Sequence, residues 1–386
     1  MPNVKKKQNS KEIMLPHSKA KVQFYKTYLD IYLRVLCNVS FIEVINIFDV
    51  FCGRGLYDNG GKGSPIEAAD VIREVGQTFG HSKQINLHVN DKNSTHVDRV
   101  RKYIQEESGE QIENFIPIYS AIDGETYLED LALRLKNTPA NTRNLVFIDP
   151  YGYKAIKKDI IHNLIANGRT EVMIFLPISF MNRFTSHALS HEEISMYKPL
   201  VEFVKSFFPL NHPIVKGEQI SHLNYISYLT KALKFNNKYY ATSYHIERST
   251  SNYFALFFIT SNEYGYEKIL ETKWKLDEKD GNGFNLPQPP SIFDEIDREE
   301  KRIELFNYLK NQTVQYLRGG ARTNLDLYKF ALDIEFLPKH MSYVLRDLLK
   351  NKRIEVSPIP NTKPPVKGSF YLNRKEGERI IISFRP

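Results

Sequence analysis

Residues Ile45–Tyr57 constrain this chain more than any other stretch; they read Ile-Asn-Ile-Phe-Asp-Val-Phe-Cys-Gly-Arg-Gly-Leu-Tyr. Val44 to Phe48 has the β-branched and aromatic content of a buried strand, and Asp49 closes it. Phe51, Gly53 and Gly55 then spell a tight turn, because glycine enters the left-handed region without a Cβ clash. Gly63-Ser64-Pro65 opens a helix, with Ser64 at the cap and Pro65 at the first helical position. Strand, acid, glycine turn and helix start are the parts of a nucleotide-type cofactor site in a doubly wound sheet. Taken alone, the same residues also describe an ordinary β-turn with two glycines.

The rest of the first half repeats the theme. Apolar strand segments are expected at Ile85–Val89, Ile116–Tyr119, Asn144–Ile148 and Glu171–Pro177, with helical periodicity between them. Five alternations of strand and helix argue for a parallel sheet covered on both faces. A helix over Lys19–Leu36 precedes the first strand. His17, Lys19 and Lys21 sit at its N-terminal edge, where positive charge opposes the helix dipole, which points to an anionic contact there. Residues 180–235 break the alternation and read as a helical insertion. Tyr239–Ile246 and Tyr253–Thr260 then form an antiparallel pair, closed by a helix through Trp274. The expected fold class is α/β, a Rossmann-like domain over 18–285 after a basic arm, 1–17.

Four acids follow four successive strands: Asp49, Asp91, Asp123 and Asp149. Ligands of open α/β sheets bind outside the carboxyl ends of the strands, so all four would line one edge. Asp49 with the Phe51–Gly55 turn would admit the amino-acid end of a cofactor. Asp91 would accept ribose hydroxyls, and Asp123 an adenine amino group. Lys21 and Ser64 complete this expected set. The pattern describes S-adenosylmethionine better than a dinucleotide, whose fingerprint needs a third, closer glycine and an uninterrupted helix start; Asp58–Gly63 intervenes here. Asp149-Pro150-Tyr151-Gly152 is the expected catalytic segment. Asp149 and the carbonyl of Pro150 can accept from an exocyclic amine, and Tyr151 can stack on an extruded base.

Leu286-Pro287-Gln288-Pro289-Pro290 marks a linker, taken as 286–295, before a module at 296–386. From Lys301 onward there are 17 basic against 8 acidic residues, which carries the whole excess of a chain whose net charge is +8. Helices over Ile303–Leu317, Asn324–Leu332 and Met341–Lys350, then strands at Arg353–Val356, Phe370–Leu372 and Ile380–Phe384, describe a winged helix. Its recognition helix would present Lys339, His340, Tyr343 and Arg346, and its wing Lys363 and Lys367, to nucleic acid. A winged helix that contacts protein is the other reading.

Two cysteines, Cys37 and Cys52, exclude a disulfide framework and a cysteine-built metal centre within the chain, and no metal site is expected. No apolar run is long enough for a membrane span or a signal peptide, so no membrane partner and a cytoplasmic location are expected.

These motifs together resemble the three-Cys-motif partner protein (TcmP) family, over most of the chain from about Ser18. The likeness rests on Lys19 and Lys21, Asp49–Gly55, Gly63-Ser64-Pro65, Asp91, Asp149-Pro150-Tyr151-Gly152, Trp274-Lys275 and Phe336–His340. The resemblance implies a methyltransferase-like Rossmann fold and a partner protein carrying three cysteines, and no assigned reaction. The Asp149 segment is also similar to the "DPFG" of some tRNA guanine-N2 methyltransferases. It departs from the Asp/Asn-Pro-Pro-aromatic of adenine enzymes, since Tyr151 stands at the second proline. Cytosine-C5 enzymes need a Pro-Cys nucleophile, and neither cysteine here follows a proline.

The leading expectation is an S-adenosylmethionine-dependent methyltransferase acting on an exocyclic amino group of a nucleic acid base. The alternative is a catalytically silent chain of the same fold that binds nucleic acid or the three-cysteine partner. A metal-dependent hydrolase is a weaker third reading, because the four acids are spread across the sheet.

Overall fold

The computed structural model describes residues 13–79, 82–107, 113–249, 252–286, 294–362, 366 and 368–385. The first part of the basic arm, most of the expected linker, and the wing residues Lys363 and Lys367 lie outside that set. The chain divides into two compact units, one of Met1–Thr272 with Asn282–Pro287, the other of Lys273–Gly281 with Gln288–Pro386.

The first unit begins with α1 (Pro16–Cys37), then β1 (Val44–Asp49), α2 (Ser64–Phe79), β2 (Gln84–Asn90), α3 (Ser94–Lys102), β3 (Phe115–Ser120), α4 (Gly124–Leu135), β4 (Thr142–Ile148), α5 (Lys158–Ile165) and β5 (Thr170–Leu176). The insertion follows as α6 (Ile178–Ser190), α7 (Lys198–Phe207) and α8 (His222–Leu233). The unit continues with β6 (Tyr240–Ser249), β7 (Asn252–Thr260), α9 (Glu263–Leu276), whose residues from Lys273 on belong to the second unit, and the short β8 (Gly283–Phe284). The eight strands make one sheet in the order β3-β2-β1-β4-β5-β7-β6-β8. Strands β1 to β5 are parallel, and β7 runs antiparallel to both β5 and β6. This is a Rossmann-like arrangement. Strand order reverses at β1, so β1 and β4 diverge at the crevice where such sheets bind ligands.

Each face of the sheet has its own reason to be covered. On β4, Phe147 stacks on Tyr25 of α1 at 4.4 Å, while Val146 and Ile148 point the other way into a core shared with α4, α5 and the insertion. A strand buried on both faces reads as a continuous apolar run, which is how Leu145–Ile148 reads. Helix α1 lies across the sheet through Phe24 on Tyr244 and Tyr28 on Phe258, and this fixes where its first turns emerge.

A polar ladder runs through this apolar sheet. Gln84 donates to Asn86 at 3.0 Å, Asn86 to Asn46 at 2.8 Å, Asn46 to Asn144 at 2.9 Å, and Asn144 to Thr170 at 3.1 Å. Asn86, Asn46, Asn144 and Thr170 are directly registered across β2, β1, β4 and β5. A one-residue slip would break every rung and invert every side chain, so the ladder pins the register.

The second unit contains α10 (Asp294–Arg318), β9 (Arg322–Thr323), α11 (Asn324–Asp333), α12 (Pro338–Lys350), β10 (Ile354–Pro358) and β11 (Ile380–Phe384). Its three strands are antiparallel in the order β10-β11-β9. Phe370–Leu372 is not the strand the sequence predicts. Phe370 and Leu372 bury their side chains, but Tyr371 between them has φ of 48°, incompatible with an extended run. The third strand is instead β9, two residues at the start of α11, which pair with Ile381 and Ile382.

Candidate functional site

The turn after β1 is built as its glycines require. Gly53 and Gly55 have φ of 56° and 71°. A Cβ on Gly55 would stand 2.5 Å from Val100, so the turn is pressed onto α3, whereas at Gly53 nothing lies within 4 Å. Gly124, at the start of α4, makes room for Phe51: a Cβ there would meet the ring at 2.1 Å. Cys52 is buried, and burial followed by the nearby Asp49 and Asp91 pushes its thiol pKa up. It is a packing residue.

Beside this turn is a cavity of about 570 Å³ at the carboxyl edge of the sheet. Of the residues expected at the site, Lys21, Phe51, Gly53, Gly55, Ser64, Asp149, Pro150 and Tyr151 line it, while Asp49, Asp91 and Asp123 do not. The four strand-end acids share an edge but divide into different jobs. Asp49 is fully buried with neither oxygen completing a hydrogen bond among the described residues. Burial lifts its pKa to about 7, with the Ser64 hydroxyl pulling the other way. Asp91 is buried and clamps the turn: its oxygens accept the backbone N–H groups of Gly53 at 3.0 Å and Asn93 at 2.8 Å. Asp123 caps α4, accepting from the Glu125 N–H at 3.0 Å, the ordinary use of an aspartate at a helix start. Only Asp149 reaches the cavity.

Asp149 does not stand alone there. Lys21, from the second turn of α1, donates to its Oδ2. Burial works against the Lys21 charge, but Asp149, Tyr57 and Asp49 outweigh it and raise its pKa. The anionic contact expected at the N-terminal edge of α1 is therefore Asp149 of the same chain. Lys21 also lies 4.8 Å over the Phe175 ring. Phe175 stacks on Phe254 at 5.0 Å, and Phe254 on His17 at 5.5 Å. Burial, then Arg248 and Lys21, lowers the His17 pKa to about 4, so this wall is neutral near pH 7. Tyr151, also in the lining, is 77% exposed.

His17, Tyr57, Asn93, His96, Phe175 and Phe254 also line the cavity and were not among the expected site residues. His17 carried a signal, the misplaced positive charge of the α1 start. Phe175 and Phe254 carried none, since in β strands they read as core. Asn90 was visible only as a strand end. Fully buried, it donates to the Val50 and Ile122 carbonyls and accepts from Ser120 and the Ile122 N–H, tying three strand ends together beside the turn.

In the second unit, Lys339, Tyr343 and Arg346 are exposed at i, i+4 and i+7 on α12 and so share one face. His340 is not on it. Its ring packs on Trp274 at 4.4 Å and Phe336 at 5.9 Å, its Nδ1 accepts from Leu337 N–H, and burial and then Lys339 lower its pKa to about 4.

Neither a family model nor a curated protein matches the chain. Among solved structures, the methyltransferase domain of a bacterial Hen1 is similar with a TM-score of 0.30 at 12% identity, over 61% of this chain and 99% of that one. Trm1 from Pyrococcus horikoshii, solved with S-adenosyl-L-methionine, is similar with a TM-score of 0.35 at 10% identity, over 98% of this chain and 94% of that one.

Among the described residues no helix is long and apolar enough to cross a membrane.

Proposed function

We propose that this chain is an S-adenosylmethionine-dependent methyltransferase that acts on an exocyclic amino group of a nucleic acid base. One observation carries the reading: a single cavity is lined both by the glycine turn after β1 and by Asp149-Pro150-Tyr151. Its residues fit the cofactor. The open face of Gly53 leaves room for close approach, and Asn93 and His96 supply polar groups beside Asp91, where the ribose would lie. The bound cofactor would supply an electrophilic methyl group on a sulfonium.

The rest of the chemistry falls to the chain. Asp149 accepts one hydrogen of the target amine and the Pro150 carbonyl the other, which aims the nitrogen lone pair along the cavity. Positioning of this kind supplies most of the acceleration in a two-reactant transfer. As the nitrogen–carbon bond forms, the nitrogen becomes cationic, and Asp149 is placed to take the proton it sheds. Tyr151, exposed at the rim, stacks on the extruded base. Lys21 holds Asp149 until an amine replaces it, so the carboxylate is never left unpaired.

The second unit serves binding in this reading. The order α10, β9, α11, α12, β10, β11 supports a winged-helix reading, in which α12 would enter a groove with Lys339, Tyr343 and Arg346 foremost. Kinship with the three-Cys-motif partner family, and a three-cysteine partner protein, remain part of the proposal. They rest on the Asp49–Gly55 and Asp149–Gly152 motifs.

One observation favours a second reading. Lys21 already occupies the carboxylate that an amine would need, as expected of a silent fold kept for binding. Titration calorimetry with S-adenosylmethionine and transfer of labelled methyl to RNA and DNA pools separate the two. The enzyme reading expects binding, transfer, and a loss of at least about 100-fold in transfer for Asp149→Ala. Cofactor binding without transfer to any pool leaves the silent reading, and absence of both sinks the proposal.

A further inference from the structure

A second cavity of about 550 Å³ lies within the first unit, between α6 and the segment leading into α8. It is nearly as large as the site described above and within the range that holds a nucleotide-sized ligand. No residue of the proposed reaction belongs to it. Yet its lining runs close to that of the first. Pro177 lines the first and Ser179 the second, and two residues span at most about 7 Å of chain. On the facing side, Phe254 lines the first, while its neighbour Tyr253 carries the ring of His222, which lines the second.

The lining is specific in its chemistry. Ser179, Asn182, Ser186, Gln219 and Ser221 are neutral hydrogen-bonding groups, with Arg183 the one cation and Glu218 the one carboxylate among the lining residues. A lipid would want apolar walls, a metal more carboxylates, and a polyphosphate more cations. A planar, neutral, heteroatom-rich group bearing one phosphate matches. His222 lies flat on Tyr253 at 3.8 Å with the rings 7° apart, which gives the cavity a preformed aromatic face. Tyr225 borders the same cavity but is fully buried, with its hydroxyl beside Thr185. Other lining groups are held in place: Asn182 donates to the Ile220 carbonyl at 2.9 Å, Ser221 caps α8, and Ser179 accepts from Tyr253 N–H at 2.7 Å, leaving its own hydroxyl hydrogen to donate.

We propose that the cavity between α6 and α8 binds one nucleotide adjacent to the target base, its base on His222, its base edge on Gln219 and its phosphate on Arg183. The cavity is thus the part of the chain that reads sequence context around the modified position. This rests on the nucleic acid reading above and extends it to a residue-level specificity site.

The test uses the full chain and a short fluorescein-labelled single-stranded oligonucleotide of mixed sequence, in RNA and DNA forms. Fluorescence polarisation is measured for the unaltered protein, Arg183→Ala and Gln219→Ala. Arg183 and Gln219 are both exposed, so neither change is expected to unfold the chain. The expected result is about tenfold weaker binding for Arg183→Ala and several-fold for Gln219→Ala. In the transfer assay, the same two variants raise KM and leave kcat within about twofold. A 5-iodouracil version of the probe, irradiated, should crosslink to peptides containing His222 or Tyr253. Unchanged affinity in both variants, or crosslinks confined to α12, overturns the proposal even if methyl transfer is found. Weakened binding in a protein that transfers no methyl keeps this site and removes only the enzyme reading.

Discussion

Lys21 and Asp149 are the residue pair on which the site turns, because each is only partly reachable by water, with side-chain exposures of 12% and 20%. Removing one member of such a pair leaves the other desolvated and uncompensated, at a cost that reaches 3–5 kcal/mol for a fully buried pair. Lys21→Met should therefore destabilise the protein by about 2 kcal/mol, less than the full figure because of that residual access. Adding Asp149→Asn should recover much of the loss. Chemical denaturation of the two single variants and the double variant checks this, and additivity would mean the pair is not coupled. Glu171, at the opposite end of β5, makes a cleaner pH argument. Burial, opposed by hydrogen bonds from Tyr28 and Thr260 and by Arg143, lifts it to about 7 from the ordinary 4.5. A carboxyl raised on folding binds its proton more tightly in the folded chain. Stability is thus highest below the unfolded pKa and falls as pH rises through the window up to about 7. Calorimetric melting of Glu171→Gln between about pH 5 and pH 8 should show a smaller fall in Tm than the unaltered chain, with Asp49 contributing its own share in both.

Elements were legible where their signal was local. The boundaries of β1 were readable from Val44 to Asp49 because an apolar strand and its terminating acid are neighbours in sequence. The ends of β2, β4 and β5 fell within two residues of expectation for the same reason. Strand β9 was not legible. Two residues have no periodicity, and Arg322–Thr323 becomes a strand only because β11 lies beside it. The asparagine ladder belongs to this scale too. Asn46, Asn86 and Asn144 read singly as weak strand residues, and their value arises only when three strands bring them into register. Asn46→Val would strand the Asn86 amide and the Asn144 carbonyl, each at roughly 1–3 kcal/mol. We expect a loss of about 3 kcal/mol in urea denaturation with little change in cofactor affinity, since the ladder lies at mid-strand and away from the cavity lining. A loss below about 0.5 kcal/mol would mean the ladder carries no stability.

For the molecule as a whole, charge is the quantity that composition fixes most directly. The positive excess from Lys301 onward belongs to the unit that carries α12. If that unit contacts phosphates, affinity for the oligonucleotide falls linearly in log–log form with salt. Arg346→Ala should then lower the slope by about 1 and weaken binding alike for all sequences. A slope unchanged by that substitution would place the basic face outside the interface. The contrast with the α6–α8 cavity is the useful one: a phosphate contact on α12 should be indifferent to sequence, while the cavity should not be. What the amino-acid order determined by itself was the α/β alternation, the strand ends and the glycine turn, since hydrophobic period, turn chemistry and capping act over a few neighbouring residues. Which of four equivalent aspartates faces the cavity was a tertiary decision. Asp49, Asp91, Asp123 and Asp149 hold the same place after their strands, and what separates them is what the fold packs beside each. Asp149 alone of the four lines the cavity, and α1 brings Lys21 to it from 128 positions away, farther than any local rule reaches.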